Sequence, residues 1–539
     1  MLRRRFPTKA GRLLLAALGA LGFLLAACGS SGTPSPPGAL IVRVGAIPPN
    51  LNGALQAGSG AVSRQIGALI LPRAFYLNQL GNFALDTRYF SSAEVVSVDP
   101  QVVVYKINPS ATWSDGHPLS ALDLIYTWES QRSGLAGDTP SFLKLLLDPN
   151  RYKDVSSVES NANGSEATVK FSKSDANWRS LFSPILSARY MQQNGFVAAM
   201  SLGKTGFPTT GGYAVTRYQS DEVVLSALPG SGSDFASVDF VAGGSVASVG
   251  ASSPSISAAQ ALDAPANGSV LVHSPKLYQL VFNLSQTSVA FRRGVALAID
   301  RTQLYQNLYS KSVLADSRFY PPGSNLYAQS QAGYEDNQGG YYAGNFALSQ
   351  RDFFIAGLSF SAGGYLEPVG GALVVTLVFD STDPTAKSAA ALIAAQLRYA
   401  GLDVAPVPVV GAAALSEALS QGSYTLALRS VDMSGDPGAI GQSFVSGELP
   451  SANISGDFVP DPSQILAQGA QQIYPIAAAK TFGSFDALLW QDMACLPLFD
   501  PPGAEIVTGK LSPTQLAGAL AIATAGGYET SQPMVLPSD

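Results

Sequence analysis

Apolar positions along the chain fall into short runs broken by glycine, proline and small polar residues. Leu40–Val44 and Val102–Lys106 read as strands, and Ala121–Ser130, entered through Pro-Leu-Ser with Ser120 as N-cap, reads as a helix. The C-terminal half is more regular. Leu373–Phe379 (LVVTLVF) is a buried-strand run; Asp383 followed by Pro384 is an N-cap with proline at the first helical position. The helix it opens runs over Pro384–Ala400, with Gly401 where a C′ residue belongs. Val404–Val410 is the next strand, Ala412–Leu419 a second helix and Tyr424–Leu428 a third strand. This β-α-β-α-β order predicts a parallel sheet covered on both faces, with a ligand site at the carboxyl ends of its strands. The segment leaving the third strand, from Arg429 to Pro437, carries Asp432 and Asp436 to that end. Between the two halves, the small-residue tract Gly230–Ser257 has no clear period and reads as loop.

The front end differs from everything after it. Arg3, Arg4, Arg5, Lys9 and Arg12 precede the apolar run Leu13–Ala27, which is shorter than the ~20 residues of a spanning helix. The pattern is that of a secretory leader. Its ending, Leu25-Ala26-Ala27-Cys28, resembles the bacterial lipobox, in which the cysteine is acylated and becomes the new N-terminus. We therefore expect a signal peptide over 1–27, lipid on Cys28, a tether over 28–38, and a location on the outer face of a membrane. Acylation by two or more chains anchors stably. Five of the 32 basic residues and none of the 38 acidic ones lie in the leader, so its removal moves the net charge from −6 to −11.

Composition then narrows the chemistry. A chain of 539 residues exceeds one hydrophobic core, and its 13% charged content is about half the usual share. An acidic balance argues against nucleic acid. With two histidines and two cysteines, a His-rich metal centre and a disulfide scaffold are both disfavoured, and Cys495 reads as a buried thiol. There is no G-x-S-x-G, H-E-x-x-H, C-x-x-C, phosphate loop or G-x-G-x-x-G. His117 in a turn and His273 before a strand are the histidines from which a triad would have to be drawn. The expectation is a binding protein with no cofactor, no metal and no catalytic residue. A surface hydrolase and a ligand sensor for a signalling partner stay open as other classes.

Four segments carry a family resemblance. Tyr105–Trp128 (YKINPSATWSDGHPLSALDLIYTW) resembles the W-S-D-G-x-P signature of the family 5 extracellular solute-binding proteins, the peptide-, nickel- and opine-binding receptors of ABC importers. Phe282-Asn283 with Phe291–Leu304 (FRRGVALAIDRTQL), Gly211-Gly212-Tyr213, and Leu392–Val404 (LIAAQLRYAGLDV) are similar to further motifs of that family, in order and spacing. In the signature, Trp113, Asp115-Gly116, Pro118 and Asp123 read as fold markers, and Asp300-Arg301 as an ion pair ending a helix.

The resemblance implies an α/β clamshell of the periplasmic-binding-protein type (type II, cluster C), with two lobes, a hinge and an extra inserted domain. Domain I would comprise 39–70, 189–276 and 491–539, domain II would be the insertion 71–188, and domain III 277–490. Leu277–Phe282 and Leu496–Phe499 are the expected lobe crossings. By position, Asp432 would hold a peptide's α-ammonium, with Asp436 the alternative because the spacing after the strand departs from the family's. Ser430 and Val431 would pair with the peptide main chain, and Arg429 stands where the family has an aromatic. Asn50 and Asn52, in the loop after the first strand, and Phe499 complete the expected ligand set. The implied ligand is a di- or oligopeptide or a similar small solute; a chelated metal, glutathione, an opine or an oligosaccharide remain alternatives within the family. The implied partners are an ABC permease–ATPase complex and, through the anchor, the membrane; the protein is expected to be a monomer.

Overall fold

The computed structural model describes residues 38–58, 60–77, 83–132, 140–243, 255–258, 269–273, 276–309, 313–314, 316–320, 326–327, 344–433, 437–445, 462–507, 511–525 and 529–535. The leader, Cys28, Asp436 and part of the 230–257 tract lie outside them.

Two sheets build the first lobe. The larger has eight strands in the order Glu529–Val535, Ser269–His273, Pro502–Val507, Ser255–Ala258, Ala39–Val44, Ser237–Ala242, Glu222–Ala227 and Tyr213–Tyr218. Ala39–Val44, almost wholly apolar, runs parallel to both its neighbours, as a strand covered on both faces does. Two of these strands, Ser237–Ala242 and Ser255–Ala258, lie in the tract read as loop. Pairing with Ala39–Val44, which periodicity cannot reveal, makes them strands. The smaller sheet is antiparallel, in the order Phe90–Val98, Gln101–Ile107, Glu166–Phe171, Val155–Ser160. Its Val103, Tyr105 and Val169 share one core with Leu40, Val42 and Phe240 of the larger sheet.

The Trp-Ser-Asp-Gly signature closes that core. Trp113 is buried and its Nε1 donates to Asp123 Oδ2 at 3.3 Å. The same carboxylate accepts the Ser120 amide at 3.0 Å, completing a capping box, and the Ala188 amide at 2.8 Å. Burial raises the Asp123 pKa above the usual carboxylate range. Gly211 of the Gly-Gly-Tyr turn passes so close to the Leu69 carbonyl that a Cβ would lie 1.9 Å from its oxygen. Only glycine fits there, and the contact fixes the end of helix Ala61–Ile70.

The second lobe is organised on a six-stranded sheet, in the order Val313–Leu314, Cys495–Asp500, Lys276–Phe282, Leu426–Asp432, Val374–Asp380, Asp403–Val409. Val374–Asp380 is parallel to both neighbours, and Lys276–Phe282 antiparallel to both of its own. Helix Pro384–Tyr399 lies on one face through Ala386, Ala389, Ala390, Ile393, Ala394 and Leu397, a stripe at helical spacing whose alanines allow close approach. Asp383 caps it as expected, Oδ1 accepting from the Thr385 and Ala386 amides at 2.9 and 3.1 Å. Its Oδ2 accepts from the Tyr278 hydroxyl at 2.6 Å, tying the cap to the sheet. Helix Pro475–Asp492 supplies much of the opposite face through Phe482, Phe485 and Leu489.

One expectation needs correction. Asp300 does not end a helix in an ion pair with Arg301. It caps helix Arg301–Leu308 by accepting from the Gln303 amide, while buried Arg301 reaches Asp316 at 3.0 Å and the Pro497 carbonyl at 2.8 Å. The backbone turns between the two residues, so adjacent side chains serve different elements.

The chain passes between the two large sheets twice. Ser269–His273 belongs to the first and Lys276–Phe282 to the second; Cys495–Asp500 belongs to the second and Pro502–Val507 to the first. Ser269–His273 pairs with Pro502–Val507 in the first sheet and Lys276–Phe282 with Cys495–Asp500 in the second, so the strands flanking the two changes of sheet are neighbours.

Candidate functional site

Strand Leu426–Asp432 extends past the third strand read from the sequence, which ended at Leu428. Antiparallel register with Lys276–Phe282, from Phe282↔Leu426 to Lys276↔Asp432, draws Arg429–Asp432 into the sheet. On its other side, pairing with Val374–Asp380 runs only from Leu377↔Leu426 to Phe379↔Leu428. Asp380, the last residue of that neighbour, is level with Arg429, so the strand projects three residues beyond it, at the carboxyl end where this sheet type places ligands. Leu426 and Leu428 are fully buried, whereas Ser430 and Asp432 are exposed and Val431 half-buried.

Asp432 reaches the other lobe. Its Oδ2 lies 3.8 Å from Arg64 Nη2, on helix Ala61–Ile70. Two further contacts reach the second lobe from residues 176–179: the Ala176 amide donates to the Ala470 carbonyl at 2.9 Å, and the Arg179 side chain, through Nη1, to the Ile473 carbonyl at 3.3 Å. Ser430 and Asp432 share the strand face on which Asp432 meets the first lobe, whereas the Val431 side chain packs on the opposite face against the second lobe's core.

Arg429 sits on the other face of this strand, half-buried, 5.8 Å over the Phe444 ring. With the Gln279 amide oriented oxygen-first, that oxygen accepts from Arg429 Nε at 2.7 Å and Nη2 at 2.9 Å. The amide's other end lies 3.3 Å from Cys495 Sγ. Arg318 Nε donates to the same sulfur at 3.0 Å, and Arg318 Nη1 donates to Asp486 Oδ1 at 2.7 Å. Arg318 also donates to the Cys495 carbonyl and stacks 4.5 Å from the Trp490 ring. Burial pushes the Asp486 carboxyl up, against the Arg318 guanidinium that draws it down. The Cys495 thiol is likewise pushed up by burial, which keeps it an unreactive thiol.

The remaining expected residues are placed differently. Asn50 is buried, donating to the Val197 carbonyl at 2.7 Å and accepting the Asn52 amide at 2.8 Å. Asn52 is buried too, donating to the Phe196 carbonyl at 2.9 Å and accepting the Ala54 amide at 3.1 Å. Both side chains are used to fold the loop against 196–201, which makes them shapers of the loop. Phe499 is enclosed in the core of the second lobe, stacked 5.0 Å from Tyr278, where its ring supports the sheet. Asp436 lies outside the described residues. The sequence reading missed Arg64 and Gln279. Each had a signal: Arg64 is the one charge in AVSRQIGALI, and Gln279 the one amide inside LYQLVF.

Two lobes on two short crossings, with a projecting strand end and a carboxylate between them, define a clamshell solute-binding protein. The chain belongs to the bacterial extracellular solute-binding proteins, family 5, whose model matches residues 87–448. Members of that family are extracytoplasmic binding proteins, not enzymes, that deliver peptides or small solutes to ABC permeases. Among curated relatives, the oligopeptide-binding protein OppA of Mycobacterium tuberculosis is 24% identical over 498 residues, covering 86% of this chain and 80% of that one. Among solved structures, the periplasmic EDTA-binding protein EppA has a TM-score of 0.71 at 22% identity, covering 93% of this chain and 98% of its own. AppA from Bacillus subtilis, in complex with a nonapeptide, has a TM-score of 0.61 at 15% identity, covering 91% and 98%. Among the described residues no helix is long and apolar enough to cross a membrane, and no group of three His, Cys, Asp or Glu is placed to hold a metal.

Proposed function

We propose that this protein captures di- or oligopeptides between its lobes and passes them to an ABC permease–ATPase complex, held at the outer membrane face by lipid on Cys28. The observation that carries the reading is the projecting end of strand Leu426–Asp432. Its main chain runs beyond Val374–Asp380 at Ser430 and Val431, and its last side chain is a carboxylate turned to the opposite lobe. An extended peptide can add to such an end through backbone bonds, leaving side-chain selection to pockets. Asp432 is proposed to receive the peptide's α-ammonium, with Asp436 the alternative anchor. Arg429, held from behind by Gln279, is the cation nearest this strand end in sequence and the proposed partner of a ligand carboxylate. Asn50 and Asn52 act through the loop they fold. The two changes of sheet, between His273 and Lys276 and between Asp500 and Pro502, serve as the hinge, and the lobes close as rigid bodies around the peptide.

A charge-assisted bond from ammonium to carboxylate is worth about 1.5–3 kcal/mol net. Asp432→Asn is therefore expected to weaken free-amine peptides by about ten-fold or more and to spare their N-acetylated forms. Titration calorimetry with matched pairs drawn from a peptide mixture measures the difference. Equal weakening of both forms would place the ammonium elsewhere, and hydrolysis of the mixture lost in Asp432→Ala would mean a hydrolase.

A further inference from the structure

Helix Ala61–Ile70 buries Ser63, Gln65, Ile66 and Ile70 in the first lobe and is fixed at its end by the Gly211 turn. Arg64, its one charged residue, points away from that core and meets Asp432 of the second lobe at 3.8 Å, the two side chains 43% and 50% exposed. The arginine–aspartate pairs Arg292–Asp492, Arg301–Asp316 and Arg318–Asp486 all stay inside the second lobe at 2.7–3.0 Å. The pair between lobes is thus longer and wetter than these. An exposed ion pair biases an equilibrium by about five-fold at most, enough to favour one lobe arrangement without locking it.

We propose that Arg64 is a specificity-determining residue: its guanidinium latches across the cleft onto Asp432 and gives up that place to a cation carried by the solute. The inference rests on the reading of Asp432 as ligand anchor and adds the competitor. A solute cation enclosed between the lobes bonds to the carboxylate at charge-assisted length with less water around it, so it outcompetes a half-exposed guanidinium at 3.8 Å. Solutes that cannot replace the guanidinium leave the latch in place. Because the carboxylate already stands opposite a guanidinium, the admitted class is wider than α-ammonium groups. It includes solutes ending in a guanidinium or a primary amine.

The test has one arm that needs no ligand. Small-angle X-ray scattering of the full mature chain at low salt is compared for wild type, Arg64→Gln, Asp432→Asn, the double variant and Arg64→Lys. The expected result is a larger radius of gyration for each neutral single variant, no further increase in the double, and a near wild-type value for Arg64→Lys. Unchanged radii in the single variants, or additive increases in the double, would overturn the latch. The second arm uses trialanine, N-acetyl-trialanine and agmatine as probes in titration calorimetry. Arg64→Gln is expected to tighten trialanine and agmatine by up to about five-fold and leave the acetylated peptide unchanged. Weaker binding of the two cations in Arg64→Gln would make Arg64 a direct ligand contact and overturn the competition. If scattering responds as expected while none of the probes binds, the latch stands and the peptide reading falls.

Discussion

Two arginine–aspartate pairs in this molecule show what burial does to the same chemistry. Arg318–Asp486 has no exposed surface on either side chain, a 2.7 Å contact, an aromatic lid from Trp490 and further donation from Arg318 to Cys495. Arg64–Asp432 is half exposed on both sides, at 3.8 Å. The first pair is surrounded because each charge, taken out of water, must be answered by the other and by fixed dipoles. The second keeps its water and therefore keeps its freedom to exchange partners. The buried pair organises the second lobe, and the exposed pair is the one we propose gives way to a solute.

The largest way to break this comparison is Asp486→Ala. Leaving Arg318 buried and uncompensated is expected to cost about 3–5 kcal/mol, read as a fall in the urea midpoint at unchanged slope. Gln279→Leu comes next. It removes the acceptor for Arg429 and a neighbour of Cys495, with an expected cost of about 1–3 kcal/mol in the same assay. Asp432→Asn should be smallest, within about 0.5 kcal/mol of wild type in stability, although its effect on binding is large. A stability loss for Asp432→Asn as large as that for Asp486→Ala would erase the distinction between the pairs.

The same contrast explains what could be read from the sequence. The β-α-β-α-β unit was legible because local signals agreed: Asp383-Pro384 opens its helix, Gly401 closes it at φ +97°, and apolar runs mark Val374–Asp380 and Asp403–Val409 within a residue or two. The two-lobed α/β fold was legible through the family motifs, whose residues prove to be internal fasteners such as the Trp113–Asp123 bond. The strand end was not. Arg429–Asp432 carries too little apolar pattern to predict a strand, and only register with Lys276–Phe282 makes it one. Asn50 and Asn52 were expected at the ligand because loops after strands commonly meet it, yet their side chains are occupied by carbonyls and amides of neighbouring turns. Phe499 was expected at a crossing and lies one residue deeper than Asp500, inside the core. Arg64 could not be connected to Asp432 at all, because the pair joins positions far apart in the chain and exists only through the arrangement of the lobes.

The central claim is that Asp432 captures the cationic end of a solute between the lobes. Native mass spectrometry of the protein purified from its own cells without refolding tests it most directly. The account predicts a retained small solute bearing an ammonium or guanidinium group, present in the wild type and missing from Asp432→Asn. A retained solute with no cationic group, held equally by both proteins, would contradict it.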